Sequence, residues 1–449
     1  MEIIFIPNEK LKQIVGLSYN YDVNQPFKLS KYCLLKKVKD TVLVYNALNK
    51  AMVALTLDEY NGLSSYNQNL TFMYKNYFLI NEDFDIQKKG DDVQEYIRTH
   101  KPDKTFKQLN TFTILPTTGC NAKCFYCFEK GSEKKHMTPE IADKLVEFML
   151  QKYNGKHMKL RWFGGEPLVN EKIIDYITTK LKDNGVNYIS NLTSNGFLIN
   201  SDNVEKYKTL WNLNKVSITI DGTSTIYNNV KQYTYSGNAY ERVLKNIESL
   251  LDGGISVSIR INIGMHNIED CETLVYELIE RFEGKKKLVI YLNRLYDNDN
   301  VKTFTDDEAA IVYDKIIELT EVLRKHGRSA SRFTLNNMKF GTVHCMTDSG
   351  RAIIIFPDGK LGLCEHYMDT LHVGDIENGI TDMGNVEKCA KMEEKIDICE
   401  NCPVYPTCIR LEVCNSMPCD KHSLKHDFYY MKKSMVKIYN KFLKEKLKK

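Results

Sequence analysis

The sequence predicts an α/β fold: parallel strands with covering helices, a small α+β module before them and a cysteine-rich segment after them. Three observations lead there. Between residues 108 and 325, short β-branched runs alternate with amphipathic helical stretches, which is the pattern of a parallel α/β sheet. Cys120, Cys124 and Cys127 crowd together just behind the first of those runs. Eight further cysteines run from Cys345 to Cys419, and seven of them, all but Cys389, form a pattern too dense for chance.

The chain has 449 residues, enough for two or three domains. Its 62 basic and 58 acidic residues leave a net charge of +4, a near balance that gives no case for nucleic acid as the main partner. No apolar run approaches the ~20 residues needed to span a bilayer. The opening Met1–Pro7 stretch lacks the basic region and cleavage site of a signal peptide. Thirteen cysteines without a secretion signal point to metal or redox chemistry in a reducing, anaerobic cytoplasm rather than to disulfides.

Residues 1–107 form the first module. Tyr32–Leu35 and Val42–Tyr45 read as paired strands, Asn46–Lys50 as a turn and Ala51–Leu55 as a third strand. Thr56–Tyr60 opens a helix, and Tyr77–Ile80 returns as a strand. The charged, poorly periodic stretch from Glu82 to Lys107 reads as a linker. Two roles fit this module: an extension that caps the main fold, or a surface that binds a peptide.

Six strands follow, at Thr111–Leu115, Lys159–Phe163, Tyr188–Thr193, Val216–Ile220, Val257–Ile263 and Leu288–Leu292. Apolar residues share a helix face at Ile173, Ile174, Ile177 and Leu181, and again at Leu244, Ile247 and Leu251. Thr138 and Pro139 suit the N-cap and first position of the helix after the cysteine triplet. In such folds ligands sit at the C-terminal ends of the strands.

Cys120, Cys124 and Cys127 read C-x3-C-x2-C on a loop. Three thiolates in one tight loop suit a [4Fe–4S] cube with one open iron corner; a zinc knuckle is the alternative, though zinc sites usually add a second distant pair. With Tyr126 as the aromatic, the loop resembles the C-x3-C-x-aromatic-C signature of the radical S-adenosylmethionine (SAM) enzymes. That resemblance implies a partial (β/α)6 TIM-like barrel. It also implies that SAM is chelated at the open iron and cleaved to a 5′-deoxyadenosyl radical, after one electron from a donor such as flavodoxin or ferredoxin. Gly164-Gly165-Glu166-Pro167 resembles the stretch that holds the methionine amino group, and Ser194-Asn195-Gly196 falls where the family contacts SAM. Thr219 stands in the hydroxyl position of the fourth strand. Lys231 replaces the usual arginine that meets the SAM carboxylate, keeping the charge but not the bidentate fork. Arg260 and Leu292 match further SAM-lining positions.

In the third region, 326–425, a hairpin of Ala352–Phe356 and Leu361–Cys364 separates Cys345 from Cys364. Cys399, Cys402, Cys408, Cys414 and Cys419 follow. Taken alone, C-x2-C also suits a zinc ribbon. The whole set resembles the SPASM extension with two auxiliary [4Fe–4S] clusters, making three clusters in all. By family order Cys345, Cys364 and Cys414 hold the first, and Cys399, Cys402, Cys408 and Cys419 the second. Seven ligands for eight corners leave one iron open; Cys389 is a spare thiol, while Cys33 and Cys271 read as ordinary buried thiols. Residues 426–449 form a basic helix with Phe428, Met431, Met435 and Tyr439 near one face, expected to pack back on the domain.

The resemblance implies a maturase that oxidises a ribosomally made precursor peptide, forming a thioether or carbon–carbon crosslink. A sulfatase maturase forming formylglycine is the alternative within the class, and a non-catalytic peptide scaffold the alternative outside it. Glu365, directly after Cys364, matches the acidic group proposed as the catalytic base in sulfatase maturases, with His366 beside it. The first module resembles the peptide-recognition modules fused to such enzymes.

Overall fold

The computed structural model describes residues 1–448 except 17–19, 154, 156, 236, 296–303, 330–334, 336–339, 368–369 and 415–418. The N-terminal module contains β1 (Glu2–Phe5), α1 (Glu9–Val15), β2 (Phe27–Leu29), β3 (Cys33–Val38), β4 (Thr41–Asn46), β5 (Ala51–Thr56), α2 (Leu57–Asn61), α3 (Thr71–Lys75), β6 (Leu79–Asn81) and α4 (Ile86–Thr99). Its main sheet has the order β1-β5-β4-β3, while β2 and β6 pair separately. Both faces of β4 and β5 are buried, which is why they read as unbroken apolar runs. Val42, Val44 and Val53 pack with Met73 and Phe78 on one side. Leu43, Tyr45 and Met52 meet the C-terminal helix on the other. Thr56 and Glu59 close a reciprocal capping box at the start of α2.

The linker expected over Glu82–Lys107 is instead largely a helix, α4. Asp85 caps it by accepting from the Gln87 and Lys88 amides, and Ile86, Val93 and Ile97 form its buried stripe. The charged residues occupy the other face and hid the period. The stripe packs on Leu11 and Val15 of α1 and on Cys402, Tyr405 and Leu411.

The central region runs β7 (Thr111–Ile114), α5 (Pro139–Lys152), β8 (Met158–Trp162), α6 (Glu171–Asp183), β9 (Tyr188–Ser194), α7 (Val204–Thr209), β10 (Leu213–Thr219), α8 (Ser224–Lys231), α9 (Ala239–Asp252), β11 (Ser256–Ile263), α10 (Asp270–Arg281), β12 (Leu288–Arg294) and α11 (Asp306–Lys325). The six strands are parallel and lie in chain order. Thr138 caps α5 through the Ile141 amide, with Pro139 first in the helix. One face of this sheet is sealed by the helices, with Ile218, Ile259, Ile290 and the α9 residues Leu244 and Ile247 in a single core.

The cysteine-rich region adds β13 (Ala352–Ile355), β14 (Lys360–Gly362), β15 (Gly374–Asp375), β16 (Gly379–Ile380), α12 (Met383–Ala390) and α13 (Lys421–Lys446). The expected hairpin forms, but it does not stand apart. β13 pairs in parallel with β7, and the whole becomes a ten-stranded sheet ordered β12-β11-β10-β9-β8-β7-β13-β14-β15-β16. Helix α13 buries Met435, with Phe428, Met431 and Tyr439 against the N-terminal sheet, and also runs along α11. It therefore packs on the first module and the central region, while Leu424 and Phe428 near its start also pack against the cluster of Cys402, Tyr405 and Leu411 in the cysteine-rich segment. Among the described residues no helix is long and apolar enough to cross a membrane.

Candidate metal and cofactor site

The first cysteine loop leaves β7 at the end where the sheet's ligands are expected. Thr117 turns the chain, accepting from the Gly119 amide at 2.8 Å. The two glycines after β8 press directly on that turn: a Cβ at Gly164 would lie 2.3 Å from the Thr117 carbonyl oxygen, and one at Gly165 would lie 2.5 Å from that of Gly119. With φ at +117°, Gly164 also needs a backbone that side chains resist. Their smallness thus serves the approach of two loops, whatever else approaches them. The Glu166 amide completes the seam by donating to the Gly119 carbonyl at 2.9 Å.

Glu166 is 0% exposed. Its carboxylate accepts from the Ser194 hydroxyl at 2.9 Å, the Asn195 amide at 2.7 Å and the Leu168 amide at 3.2 Å. Burial outweighs these bonds and pushes its pKa up to about 7. Asn195 in turn donates from Nδ2 to Asn121 Oδ1 at 2.7 Å, beside Cys120. Glu166, Ser194 and Asn195, all expected to touch SAM, thus form one strap that holds the cysteine loop from behind β9.

Lys231 departs from its expected role. Its ammonium is 3% exposed and pairs at 3.0 Å with Asp221, which is 0% exposed. It also donates to the Tyr126 hydroxyl at 2.8 Å, while Tyr126 donates to Asp221. The charge expected to meet a SAM carboxylate is thus met by a protein carboxylate, and the ring of Tyr126 is anchored from below. Lys231 further accepts, through its carbonyl, from the Lys123 amide at 2.8 Å. Asp221, two residues after Thr219, is a site residue that the sequence pattern did not single out; it also accepts from the Asn262 amide at 2.9 Å.

Cys120, Cys124 and Cys127 feel one another's charge. Burial is the larger cause, and it drives the Cys120 thiol to about 12 and the Cys127 thiol to about 11, with Cys124 raised as well. Such thiols ionise readily only beside a cation, and coordination to metal deprotonates a thiol outright. Asn121 Nδ2, in the residue next to Cys120, is buried without a hydrogen-bond partner, an unspent donor in this loop. The donor set therefore fits an iron–sulfur cluster.

Among the later cysteines, burial lifts the Cys364 thiol to about 12, and the charges of Cys345 and Cys414 add to it. Burial likewise lifts the Cys408 thiol to about 12, with Cys402, Cys419 and Cys399 adding to it. Among the described residues no three such side chains converge on the position of a single ion. Buried Asp348 accepts from the Cys345 amide at 3.0 Å and pairs with Lys101 at 2.6 Å, fixing the first of these loops. The Lys104 ammonium, buried and without a hydrogen-bond partner, faces Cys345 and Asp348. Tyr367 donates to the Val413 carbonyl, tying the Cys364 turn to the segment of Cys414. Cys389, on the buried face of α12, lies in the main core, and Cys271 in that same core.

Strand alternation sorts the remaining candidates. Thr219 is registered with Arg260, and Arg260 with Tyr291, on the face away from the helices. Leu292 falls on the opposite face, in the helix-covered core; its side chain does not join them, and Tyr291 and Asn293 take that place. Glu365 opens a short 3-10 turn with His366, whose ring lies 4.5 Å from that of Phe128 and within the field of Arg260. Glu365 is thus the chain neighbour of a ring packed on Phe128, the residue directly after Cys127.

Comparisons with known proteins agree with this geometry. Residues 114–278 match the profile of the Radical SAM superfamily. A probable GTP 3′,8-cyclase of Methanococcus maripaludis (strain C6) is 30% identical over 157 residues, covering 34% of this chain and 49% of that protein, so the chain spans about half the length of that relative. The GTP 3′,8-cyclase of Clostridium perfringens (strain SM101) is 27% identical over 304 residues, covering 62% and 88%. Among solved structures, anSMEcpe with bound AdoMet superposes with a TM-score of 0.56 at 16% identity, over 74% of this chain and 99% of that one. Streptococcus suis SuiB bound to S-adenosylmethionine gives 0.52 at 13% identity, over 88% and 98%. The structural likenesses show the fold, and the profile match marks residues 114–278 as similar to the Radical SAM superfamily.

Proposed function

We propose that the protein is a radical SAM peptide maturase with a SPASM-type region, which oxidatively crosslinks a ribosomally made precursor peptide in a reducing cytoplasm. The observation that carries this reading is the grouping of the seven later cysteines into two sets, Cys345/Cys364/Cys414 and Cys399/Cys402/Cys408/Cys419. Two such sets suit two auxiliary [4Fe–4S] clusters, with an electron donor such as flavodoxin or ferredoxin feeding the first cluster. Cluster and SAM together supply a radical that takes a hydrogen atom from an unactivated carbon. The chain's own part is to hold and shield. Cys120, Cys124 and Cys127 hold the cluster, the Glu166–Asn195 strap and the Tyr126–Lys231–Asp221 anchor fix their loop, and Thr219 and Arg260 line the SAM side of the sheet, which curves in this reading as a partial (β/α)6 barrel. Glu365 takes the proton that accompanies oxidation.

A peptide substrate is favoured by the structural neighbours: anSMEcpe has been solved with a Cp18Cys peptide, and SuiB with its precursor peptide SuiA. Among the described residues of the N-terminal module, β3 pairs on one side only and carries exposed Lys36 and Lys37 near its end, an edge suited to accept a leader peptide as an added strand. The curated relatives favour a second reading, a nucleotide substrate. The experiment is anaerobic reconstitution with iron and sulfide, followed by assay of 5′-deoxyadenosine. The expected result is SAM cleavage that a short precursor peptide from a neighbouring reading frame stimulates and GTP does not. Stimulation by GTP alone would transfer the protein to the second reading, and absence of 5′-deoxyadenosine would remove both.

A further inference from the structure

The face of the sheet turned away from the helices carries a feature that no cysteine motif announces. Side chains alternate along a strand, and registered neighbours in a parallel sheet share a face. The register aligns Thr113, Arg161, Asn191, Lys215 and Ser256 in one row across five strands. The next row toward the C-terminal ends contains Thr193, Ser217 and Ser258, and the one above it Thr219, Arg260 and Tyr291. In β9, near the middle of the ten-stranded sheet, Tyr188, Ser190, Leu192 and Ser194 are buried while Ile189, Asn191 and Thr193 are exposed. The centre of this face is therefore open among the described residues, unlike its helix-covered reverse.

Two cations stand on that open floor, Arg161 and Lys215, on either side of Asn191. Both are half-buried. Lys159 lies below Arg161 on the same strand face. No carboxylate of the described residues pairs with any of the three. Strands lie about 4.8 Å apart, so Arg161 and Lys215 arise about 10 Å from each other, a span over which two long side chains can converge on one acceptor. A guanidinium presents a planar fork matched to a carboxylate, and an amide between two cations adds neutral donors. In a partly desolvated trough, such charges attract an anion far more strongly than they would on an open surface.

We propose that Arg161, Asn191 and Lys215 form an anion-binding subsite that holds an acidic side chain of the substrate peptide, two rows beneath Thr219 and Arg260. This rests on the maturase reading and narrows its substrate class. What favours a peptide over a nucleoside triphosphate is the neighbouring floor. Arg161 Nη1 lies 2.8 Å from the sulfur of Met346, and Met346 belongs to an apolar patch with Leu115, Phe163, Ile354 and Phe356. An acidic residue next to an apolar one satisfies both halves. A triphosphate would call for cations gathered along one chain of phosphates rather than set apart with an amide between them.

The test is calorimetric titration of the SAM-loaded holoprotein at low salt. The probes are the blocked tetrapeptide Glu-Leu-Glu-Leu, its Gln-Leu-Gln-Leu counterpart, and GTP. The subsite predicts that the acidic peptide binds at least about tenfold more tightly than the neutral one, the scale of a lost charge-assisted contact. Arg161→Gln with Lys215→Gln should erase that preference, while Lys172→Gln on the outer surface of α6 should keep it. Lys215→Glu should shift preference toward a Lys-Leu-Lys-Leu peptide, which guards against loss of binding through misfolding. Equal affinities in the wild type, or a preference that survives the double substitution, would overturn the proposal. So would tight GTP binding that the same double substitution abolishes, since the row would then serve a nucleotide. The same preparations report 5′-deoxyadenosine, so a protein that cleaves SAM but shows no acidic preference loses only the subsite.

Discussion

Glu166 is a carboxyl group that burial keeps near neutrality of charge until about pH 7. Its pKa in an unfolded chain is about 4.3. Because the folded value is raised, its contribution to stability is complete below the unfolded pKa and is lost as pH rises through about 7, a swing of about 4 kcal/mol. Glu166→Gln keeps a neutral group of the same shape at the strap. Thermal unfolding of the cluster-free protein should therefore lose stability between pH 5 and pH 8 more steeply in the wild type than in the variant; parallel curves would contradict this assignment. The cysteine thiols do not confuse the measurement where burial has moved them to about 11 or 12. Glu365 is tested by chemistry rather than by stability. Glu365→Gln should leave iron content and uncoupled SAM cleavage intact and lower peptide product at least about tenfold, the low end of typical acid–base contributions. Undiminished product with full cluster loading would remove Glu365 from the reaction.

At the scale of elements, α4 does what no linker could. Gln94 is buried, and its amide nitrogen, Nε2, donates to the carbonyls of Tyr405 at 2.7 Å, Cys408 at 2.9 Å and Pro406 at 3.3 Å. Arg98 donates to the Glu393 carbonyl at 2.9 Å, and Asp91 accepts from the Tyr405 hydroxyl at 2.8 Å. The N-terminal module thus braces the loop of Cys399, Cys402 and Cys408. Gln94→Ala leaves buried carbonyls without a donor, at a cost of about 1–3 kcal/mol. We expect that variant to lose up to about four irons per chain, from the second auxiliary set, while retaining the SAM-induced change in the spectrum of the first cluster. Unchanged iron content and thermal stability would show the brace to be dispensable. Deleting residues 1–107 would remove this brace and the sheet under α13 together, so truncation cannot isolate peptide binding from cluster support.

At the scale of the molecule, three clusters predict about twelve irons per chain after anaerobic reconstitution. Replacing Cys120, Cys124 and Cys127 together by Ala should remove about four of them and leave the rest. Metal analysis that finds zinc alone would end the iron–sulfur reading. The sequence by itself determined the six alternating strands, the strand–loop–helix setting of the cysteine triplet and the hairpin between Cys345 and Cys364. Each of these is written locally, in β-branched runs, a Thr-Pro helix start and spacings of a few residues. Only the tertiary structure decided where the charges go. Lys231 meets Asp221 because two stretches of chain converge beneath the loop. Arg161 and Lys215 share a face because the register of three strands aligns them. The Glu82–Lys107 stretch becomes a helix because α1 and the Cys402–Leu411 segment cover its apolar stripe. Burial and partnership between distant segments are set by packing, and packing is the one thing a local pattern does not contain.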